Sequence, residues 1–241
     1  MIEISNVSKI FGKDFKAVED LSLNIEEGYI HGFLGPNGAG KTTTLKMITG
    51  ILKADCGKIL INGIDVEKDA LLAKQQFGFV SDNPDLFLKL KGIEYLEFVG
   101  TVYNVDKMKL RENIFKYSKM FEMNEVLNNR IESYSHGMRQ KIAIIGALIH
   151  EPKVWILDEP LTGLDPKSSF TLKEMMREHA DKGNVVLFST HVLEVAEKVC
   201  DRVSIISKGK LIFNGSISDI KNRKGEDESL EKIFLELVEN E

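Results

Sequence analysis

The stretch Gly35-Pro36-Asn37-Gly38-Ala39-Gly40-Lys41-Thr42-Thr43 follows directly on the apolar run Tyr29-Ile30-His31-Gly32-Phe33-Leu34. This junction restricts the chain to folds in which a buried strand ends in a phosphate cradle. Gly35, Gly38 and Gly40 let the backbone bend so that successive N–H groups point into one concavity, and the helix starting near Lys41 adds the positive end of its dipole. Lys41 then reaches the β- and γ-phosphates of a nucleoside triphosphate, and the Thr42 hydroxyl ligates Mg²⁺. A glycine-rich turn that merely caps a helix is the plainer alternative. The strand-loop-helix order weighs against it.

Around that junction, residues 2–34 read as strands, with a turn at Gly12-Lys13-Asp14 and the alternation Val18, Leu21, Leu23, Ile25. A helix runs to about Gly50, a short strand covers Lys58 to Ile61 and closes at Asn62-Gly63, and Phe77 to Val80 is a further strand. From about Asp82 to Arg130 the spacing turns helical (Ile93, Leu96, Phe98, Val99, then Leu110, Ile114, Phe115, Met120), which predicts a helical lobe inserted at about 82–150. Strands at 154–157, 185–188 and 203–206 then alternate with helices at about 166–182 and 191–199, the pattern of a parallel sheet with crossover helices. Lys208-Gly209 predicts a hairpin turn into Lys210 to Phe213. The charged segment 221–229 reads as a linker before a helix whose apolar stripe is Leu230, Ile233, Phe234, Leu237 and Val238.

Two further motifs carry chemistry. The apolar run Val154 to Leu157 ends in Asp158-Glu159-Pro160, so a buried strand delivers two carboxylates to its C-terminal end, where open α/β sheets place ligands. Asp158 suits Mg²⁺, a small hard cation that keeps part of its water shell; Glu159 suits accepting a proton from the attacking water. Acidic surface residues at a strand end are the bland alternative. The second motif is Tyr134-Ser135-His136-Gly137-Met138-Arg139-Gln140, where Ser135 caps a helix whose first N–H groups stay available to an anion. Read alone, it is only a cap.

Composition narrows the classes of partner. The 241 residues are 43% hydrophobic, enough for a sizeable core, and 32 Lys and Arg against 37 Asp and Glu give a net charge of −5. No nucleic acid is expected of that balance. Cys56 and Cys200 are too few for a disulfide framework or a zinc site, which points to a reducing compartment. The longest apolar stretch, Ile142 to Ile149, is far short of a membrane span, so the chain reads as soluble.

Taken in order, Gly35 to Thr43, Ser135 to Gln140, Val154 to Pro160, Leu161-Thr162-Gly163-Leu164-Asp165 and Ser189-Thr190-His191 resemble the motif series of ATP-binding cassette (ABC) ATPases. The resemblance covers nearly the whole chain and is greatest to nucleotide-binding subunits of bacterial multidrug or antibiotic exporters. It implies an α/β fold: a P-loop NTPase (RecA-like) core with a parallel sheet, an N-terminal antiparallel β-subdomain and an inserted α-helical subdomain. The ATPase domain would span 1–222, with linker and amphipathic helix at 223–241. It also implies ATP and Mg²⁺ as ligands, a second ATP-binding subunit, a separate integral membrane subunit, and a peripheral position on the cytoplasmic face of the membrane. Ser135 and Gly137 of one subunit, with Gln140 of the same motif, would serve the ATP held on the partner's Lys41. His191 would bond the γ-phosphate, Asp165 would communicate across the interface, and Phe11 would stack on adenine.

Two positions depart from the family pattern. His136 stands where glycine is frequent, and Asp82 stands where glutamine commonly senses Mg²⁺ and the attacking water; a carboxylate there can still serve through water. The segment Asn83 to Leu88 is a candidate groove for the membrane subunit, or its apolar residues cover the helical lobe's own core. Two other functions stay open on sequence: a soluble ABC-type ATPase of DNA maintenance or translation, and a non-hydrolysing nucleotide sensor.

Overall fold

The computed structural model describes residues 1–85, 87–222 and 230–239; the predicted linker at 223–229 and Leu86 lie outside them. β1 (Ile2–Phe11) and β2 (Phe15–Ile25) form a hairpin, and β3 (Ile30–Leu34) leads through the glycine loop into α1 (Lys41–Ile48). β4 (Cys56–Ile61) turns into β5 (Ile64–Asp65) at Asn62 and Gly63, whose φ values of +51° and +78° suit a two-residue I′ turn. Then come α2 (Ala70–Lys74), β6 (Phe77–Val80), α3 (Gly92–Val102), α4 (Lys107–Met120) and α5 (His136–Leu148). The rest of the chain is β7 (Val154–Asp158), α6 (Pro166–Asp181), β8 (Val185–Thr190), α7 (Leu193–Val199), β9 (Arg202–Ser207), β10 (Lys210–Ser216), α8 (Ile217–Asn222) and α9 (Leu230–Glu239).

The strands make two sheets. One is antiparallel, in the order β2-β1-β4-β5; the other runs β10-β9-β3-β8-β7-β6 and is parallel except at β10. In the parallel sheet β8 lies between β3 and β7, with Leu34 opposite Thr190 and Asp158 opposite Ser189. β6 flanks β7, with Val80 opposite Leu157. The loops that leave β3, β8, β7 and β6 therefore all emerge at one edge, side by side.

The unbroken apolar runs of these strands arise because both sheet faces are covered. Alternate residues feed two cores. Ile30, Leu34, Trp155, Leu157, Val186 and Phe188 join a cluster with Leu96, Ile114, Ile142, Ile145, Leu172 and Met176 from the helices. Phe33, Val154, Ile156, Val185 and Leu187 join the other, with Leu45 and Ile48 of α1 and Val18, Leu21 and Ile59 of the antiparallel sheet. α9 buries Ile233 and Phe234 in the first cluster.

Helical spacing sets in later than the sequence suggests, at Gly92 rather than Asp82. Pro84 disfavours helix at the residue before it, and the Asn83 side chain accepts the N–H of Asp85 at 3.0 Å to make a local turn instead. The helices α2 and α8, of 5 and 6 residues, had no sequence signal, because one turn is too short to display a 3.6-residue period. β10 continues past Phe213 to Ser216.

Three histidines are held inside this fold as neutral rings. His31 on β3 bonds Ser204 Oγ through Nε2 at 2.8 Å, while Ser204 donates to Asn214 Oδ1 at 3.1 Å. The proton therefore sits on Nε2, and Nδ1 is buried without a partner. His150 stacks on Tyr103 and donates from Nε2 to the Phe77 carbonyl at 3.2 Å; His179 meets the edge of Trp155. Burial pushes all three from 6.5 down to about 4. With the folded values depressed, the unfolded chain binds more protons throughout the window from 6.5 to about 4, so stability is complete above 6.5 and falls as pH drops through that window. We predict a thermal midpoint that declines steadily on acidification across this range, and a shallower decline in His150→Gln despite a lower midpoint at neutral pH. A wild-type midpoint flat across the window would contradict the neutral assignment.

Candidate nucleotide-binding and hydrolysis site

The glycine loop is shaped by its close fit to neighbouring backbone. Gly40 has φ of +108°, and a Cβ there would overlap the carbonyl oxygen of Ala17 on β2. Ala39 is buried, and its carbonyl accepts the N–H of Gly209 at 3.0 Å, which pins the loop to the β9–β10 turn. Gly40 is the N-cap of α1 and supplies no side-chain cap, so the first N–H groups of the helix face the loop's concavity.

A cavity of 320 Å³ opens in front of this loop, walled by Phe11, Phe15 and Ala17 from the β1–β2 hairpin, Asn37 to Thr43 in part, Asp82 and Glu159. Of the predicted loop residues, Asn37, Gly38, Gly40, Lys41, Thr42 and Thr43 face it; Gly35, Pro36 and Ala39 lie behind them in the loop's backbone. Phe11 and Phe15 are cross-strand partners and are 42% and 63% exposed, a pair of apolar rings at the cavity mouth, with the Lys9 ammonium 5.7 Å from the centre of the Phe11 ring. Phe15 was not anticipated. Its signal was in the sequence, since a hairpin turned at residues 12–14 sets position 15 opposite position 11.

Lys41 is buried and donates from Nζ to the carbonyls of Gly35 at 2.8 Å and Pro36 at 3.2 Å, with Glu159 Oε1 at 3.8 Å. Burial lowers its pKa, and the nearby charges of Glu159 and Asp158 resist that shift. Asp158 is fully buried at the end of β7. One oxygen accepts the Ser189 hydroxyl, and Oδ2 has no hydrogen-bond partner. Burial raises its pKa; the Ser189 and Thr42 hydroxyls lower it, and the charges of Asp82 and Glu159 add to the rise. An unpaired buried carboxylate oxygen beside the Thr42 hydroxyl and Asp82 fits a divalent cation. Among the described residues no cluster of three or more His, Cys, Asp or Glu could hold a metal alone. Mg²⁺ takes one or two protein oxygens and completes its shell with water and phosphate, and the free Asp158 oxygen beside Thr42 fits that demand.

Glu159 has φ of +47°, an unusual conformation for a non-glycine residue. Its N–H donates to Ser189 Oγ at 3.1 Å, and its Oε1 lies 2.9 Å from His191 Nδ1. Ser189 thus holds both carboxylate-bearing residues, a role the sequence did not reveal. Ser135, Gly137, Gln140 and Asp165 are not in the cavity wall. Ser135 is exposed and caps α5, accepting the Met138 N–H at 3.2 Å. Gln140 is buried and donates to the Pro160 carbonyl at 3.3 Å, which leaves its amide turned inward. Asp165 caps α6 through Ser168 N at 2.9 Å and pairs with Lys141 at 2.9 Å; the Ser168 hydroxyl, then Lys141, hold its carboxyl well below the usual range.

Comparison with known proteins gives the family. The profile of the ABC transporter family matches residues 18–162, which include the glycine loop, Ser135 to Gln140 and Asp158-Glu159. The chain belongs to the ABC transporter family. This ABC protein is 37% identical to the ABC transporter ATP-binding protein NatA of Bacillus subtilis, over 98% of its own length and 97% of that relative. It is 34% identical to the linearmycin resistance ATP-binding protein LnrL of the same organism, over 94% and 73% of the two chains. Among solved structures, the ATP-binding subunit of an ABC transporter superimposes with a TM-score of 0.93 at 31% identity, covering 98% of both chains. A dimeric ATP-binding cassette in a post-hydrolysis state bound to ADP and Pi superimposes with a TM-score of 0.81 at 26% identity, over 90% of this chain and 99% of that one. The protein is an ABC ATPase, an ATP-binding subunit of the kind that serves transporters, and its fold is that of the family's cassette.

The tight seat of Gly40 in this ABC subunit generates a test. Gly40→Ala adds a methyl against a backbone carbonyl at a φ of +108°, so we predict a stability loss of about 1–3 kcal/mol and ATP affinity at least about tenfold weaker. Thermal melts and nucleotide titration measure both, and unchanged values would contradict the loop geometry.

Proposed function

We propose that two copies of this subunit, or one copy with a similar partner, sandwich two ATP molecules and drive a separate membrane subunit of an exporter. The observation that carries the proposal is the division of the family motifs. Lys41, Asp82 and Glu159 meet in one cavity, whereas Ser135 and Gly137 sit outside its wall, which supports a composite site completed by a second copy. The drug-resistance role in the name of one relative supports export as the direction.

In the proposed reaction Lys41 and the loop N–H groups hold the phosphates, and Phe11 with Phe15 covers the adenine. Thr42, Asp158 and Asp82 would hold Mg²⁺, which when bound neutralises phosphate charge. Glu159 takes a proton from the attacking water as the water oxygen bonds to the γ-phosphorus and the bond to the β-phosphate oxygen breaks, leaving ADP and phosphate. His191 holds the Glu159 carboxylate in place through Nδ1 and stands ready for the γ-phosphate. Ser135, Gly137 and the start of α5 serve the phosphate on the second copy, with Asp165 beside that interface. Gln140 acts behind them as a support.

The membrane subunit is proposed to seat on the exposed aromatic cluster of the helical region. Phe87 has φ of +54° and places its ring 5.5 Å from Tyr95 and 5.6 Å from Phe98, with about half of Phe87 and Phe98 exposed. Leu88 packs instead against the core, which supports the core-covering reading for that residue, and Leu86 lies outside the described residues. Among the described residues no helix is long and apolar enough to cross a membrane. Nothing in the site favours a role in DNA maintenance or translation.

Two predictions test this reading. Glu159→Gln retains ATP binding, lowers hydrolysis at least about 100-fold and traps an ATP-bound dimer, because the base is lost and the cradle is intact. Light scattering with Mg-ATP checks the dimer, and a variant that stays monomeric contradicts the sandwich. Ser135→Glu leaves ATP affinity of the monomer intact but blocks ATP-driven pairing, since its charge faces the partner's γ-phosphate. Lys41→Ala is impaired in nucleotide binding. Mixing the two variants regenerates one undamaged site per dimer, so activity reappears that neither shows alone. Loss of ATP binding by folded Ser135→Glu would place Ser135 in the same site as Lys41.

A further inference from the structure

Glu159 occupies a conformation that a non-glycine residue keeps only when its surroundings enforce it. Upstream the enforcement is clear: β7 is paired on both sides, with β8 and β6, and Ser189 holds the Glu159 N–H. Downstream, the segment 160–165 is a loop in which Thr162 N bonds back to the Glu159 carbonyl at 3.2 Å and Leu164 N to the Leu161 carbonyl at 3.3 Å. These turns give it shape without tying it to anything.

Leu161 and Leu164 pack on the edge of the core cluster and Asp165 caps α6, while the polar ties nearest Glu159 come from one face of α5. Gln140 donates from its buried amide to the Pro160 carbonyl at 3.3 Å. Lys141, with a side chain 13% exposed, pairs with Asp165 at 2.9 Å. Between those two anchors Gly163, at φ of +78°, lies under the first turn of α5: a Cβ on Gly163 would overlap the His136 ring, and a Cβ on Gly137 would stand 2.7 Å from the Gly163 carbonyl oxygen. Positions 136, 137, 140 and 141 share one helix face, so the loop is gripped at its start, middle and end by a single rigid element.

We infer that Lys141 and Gln140, with His136 packed on Gly163, are positioning residues for Glu159, and that α5 is the frame from which the base is aimed. The inference rests on the assignment of Glu159 as the base. It makes His136 a spacer matched to Gly163, at a position where the family often has glycine, and gives Gln140 a task inside the chain rather than on nucleotide. Asp165 then has two duties, capping α6 and closing the grip.

The test uses the full chain with Lys141→Met, Lys141→Arg, Glu159→Gln and the Lys141→Met/Glu159→Gln double variant. Steady-state and single-turnover hydrolysis, nucleotide affinity and thermal melts are measured for each. Lys141→Met is expected to lower kcat about tenfold or more, with KM and nucleotide affinity within about threefold of wild type, since a misplaced base costs rate and not binding. Lys141→Arg, which keeps the pair with Asp165, restores most of kcat. In the Glu159→Gln background Lys141→Met costs nothing further, because the group it positions is already gone. A folded Lys141→Met with wild-type kcat beside an inactive Glu159→Gln overturns the positioning role alone. So does a full additive loss in the double variant, or a raised KM with kcat retained. A Glu159→Gln that hydrolyses normally overturns the base assignment and this inference together. If Lys141→Met does not fold, Lys141→Gln, which keeps a chain of polar length without the charge, carries the same readout.

Discussion

The lateral hydrogen bonds that join β3 to β8 and β8 to β7 set the spacing of everything chemical in this protein. With Leu34 opposite Thr190 and Asp158 opposite Ser189, the glycine loop, the acidic pair and His191 leave adjacent strands at one edge. Strands in a sheet stand about 4.8 Å apart, so side chains from three loops reach one another without any loop having to be long. A one-residue slip of β7 would turn Trp155 and Leu157 to the opposite core and withdraw Asp158 with them, which is why the two-sided burial of these strands also fixes the site.

Electrostatics at that edge is arranged for a ligand of high negative charge that arrives with a cation. Lys41 is drawn out of water into contact with backbone carbonyls and within reach of Glu159, while Asp158 keeps an oxygen without a partner. Both groups carry a desolvation cost that the protein alone offsets only in part, as their opposite pKa shifts record. The Mg²⁺ complex of a nucleoside triphosphate would complement each. Phosphate meets the ammonium group and the metal meets the carboxylate, so the strain in one partner is relieved by the same molecule that relieves the other.

Much of this was legible in the sequence because it depends on local pattern. The strand-loop-helix junction at Leu34 to Lys41, the apolar runs ending in Asp158-Glu159 and in His191, and the alternation of strand and helix after Val154 each state their own structure within a few residues. What was not legible depends on tertiary neighbours. Phe15 became a wall of the cavity through hairpin register, and Ser189 gained two partners only because β8 lies beside β7. The inward turn of Gln140 toward Pro160 needs the packing of α5 against the loop after β7, which no spacing rule contains. The apolar spacing of the helical region begins at Ile93, and the boundary set at about Asp82 ran ahead of it; Pro84 and the Asn83 turn keep the chain there out of helix.

The core cluster that fills one face of the parallel sheet does not stop at the sheet. It continues without a break through Leu96 of α3, Ile114 of α4 and Ile142 and Ile145 of α5. Close-packed interiors are stiff, so a displacement applied to the outer end of α3 is conveyed as motion of a solid body rather than dissipated in side-chain rearrangement. The helices and the sheet face therefore form one packed body that joins α3 to α5. The aromatic cluster of Phe87 and Phe98 and the loop beside Glu159 thus border the two ends of one continuous interior, held together by the same apolar contacts.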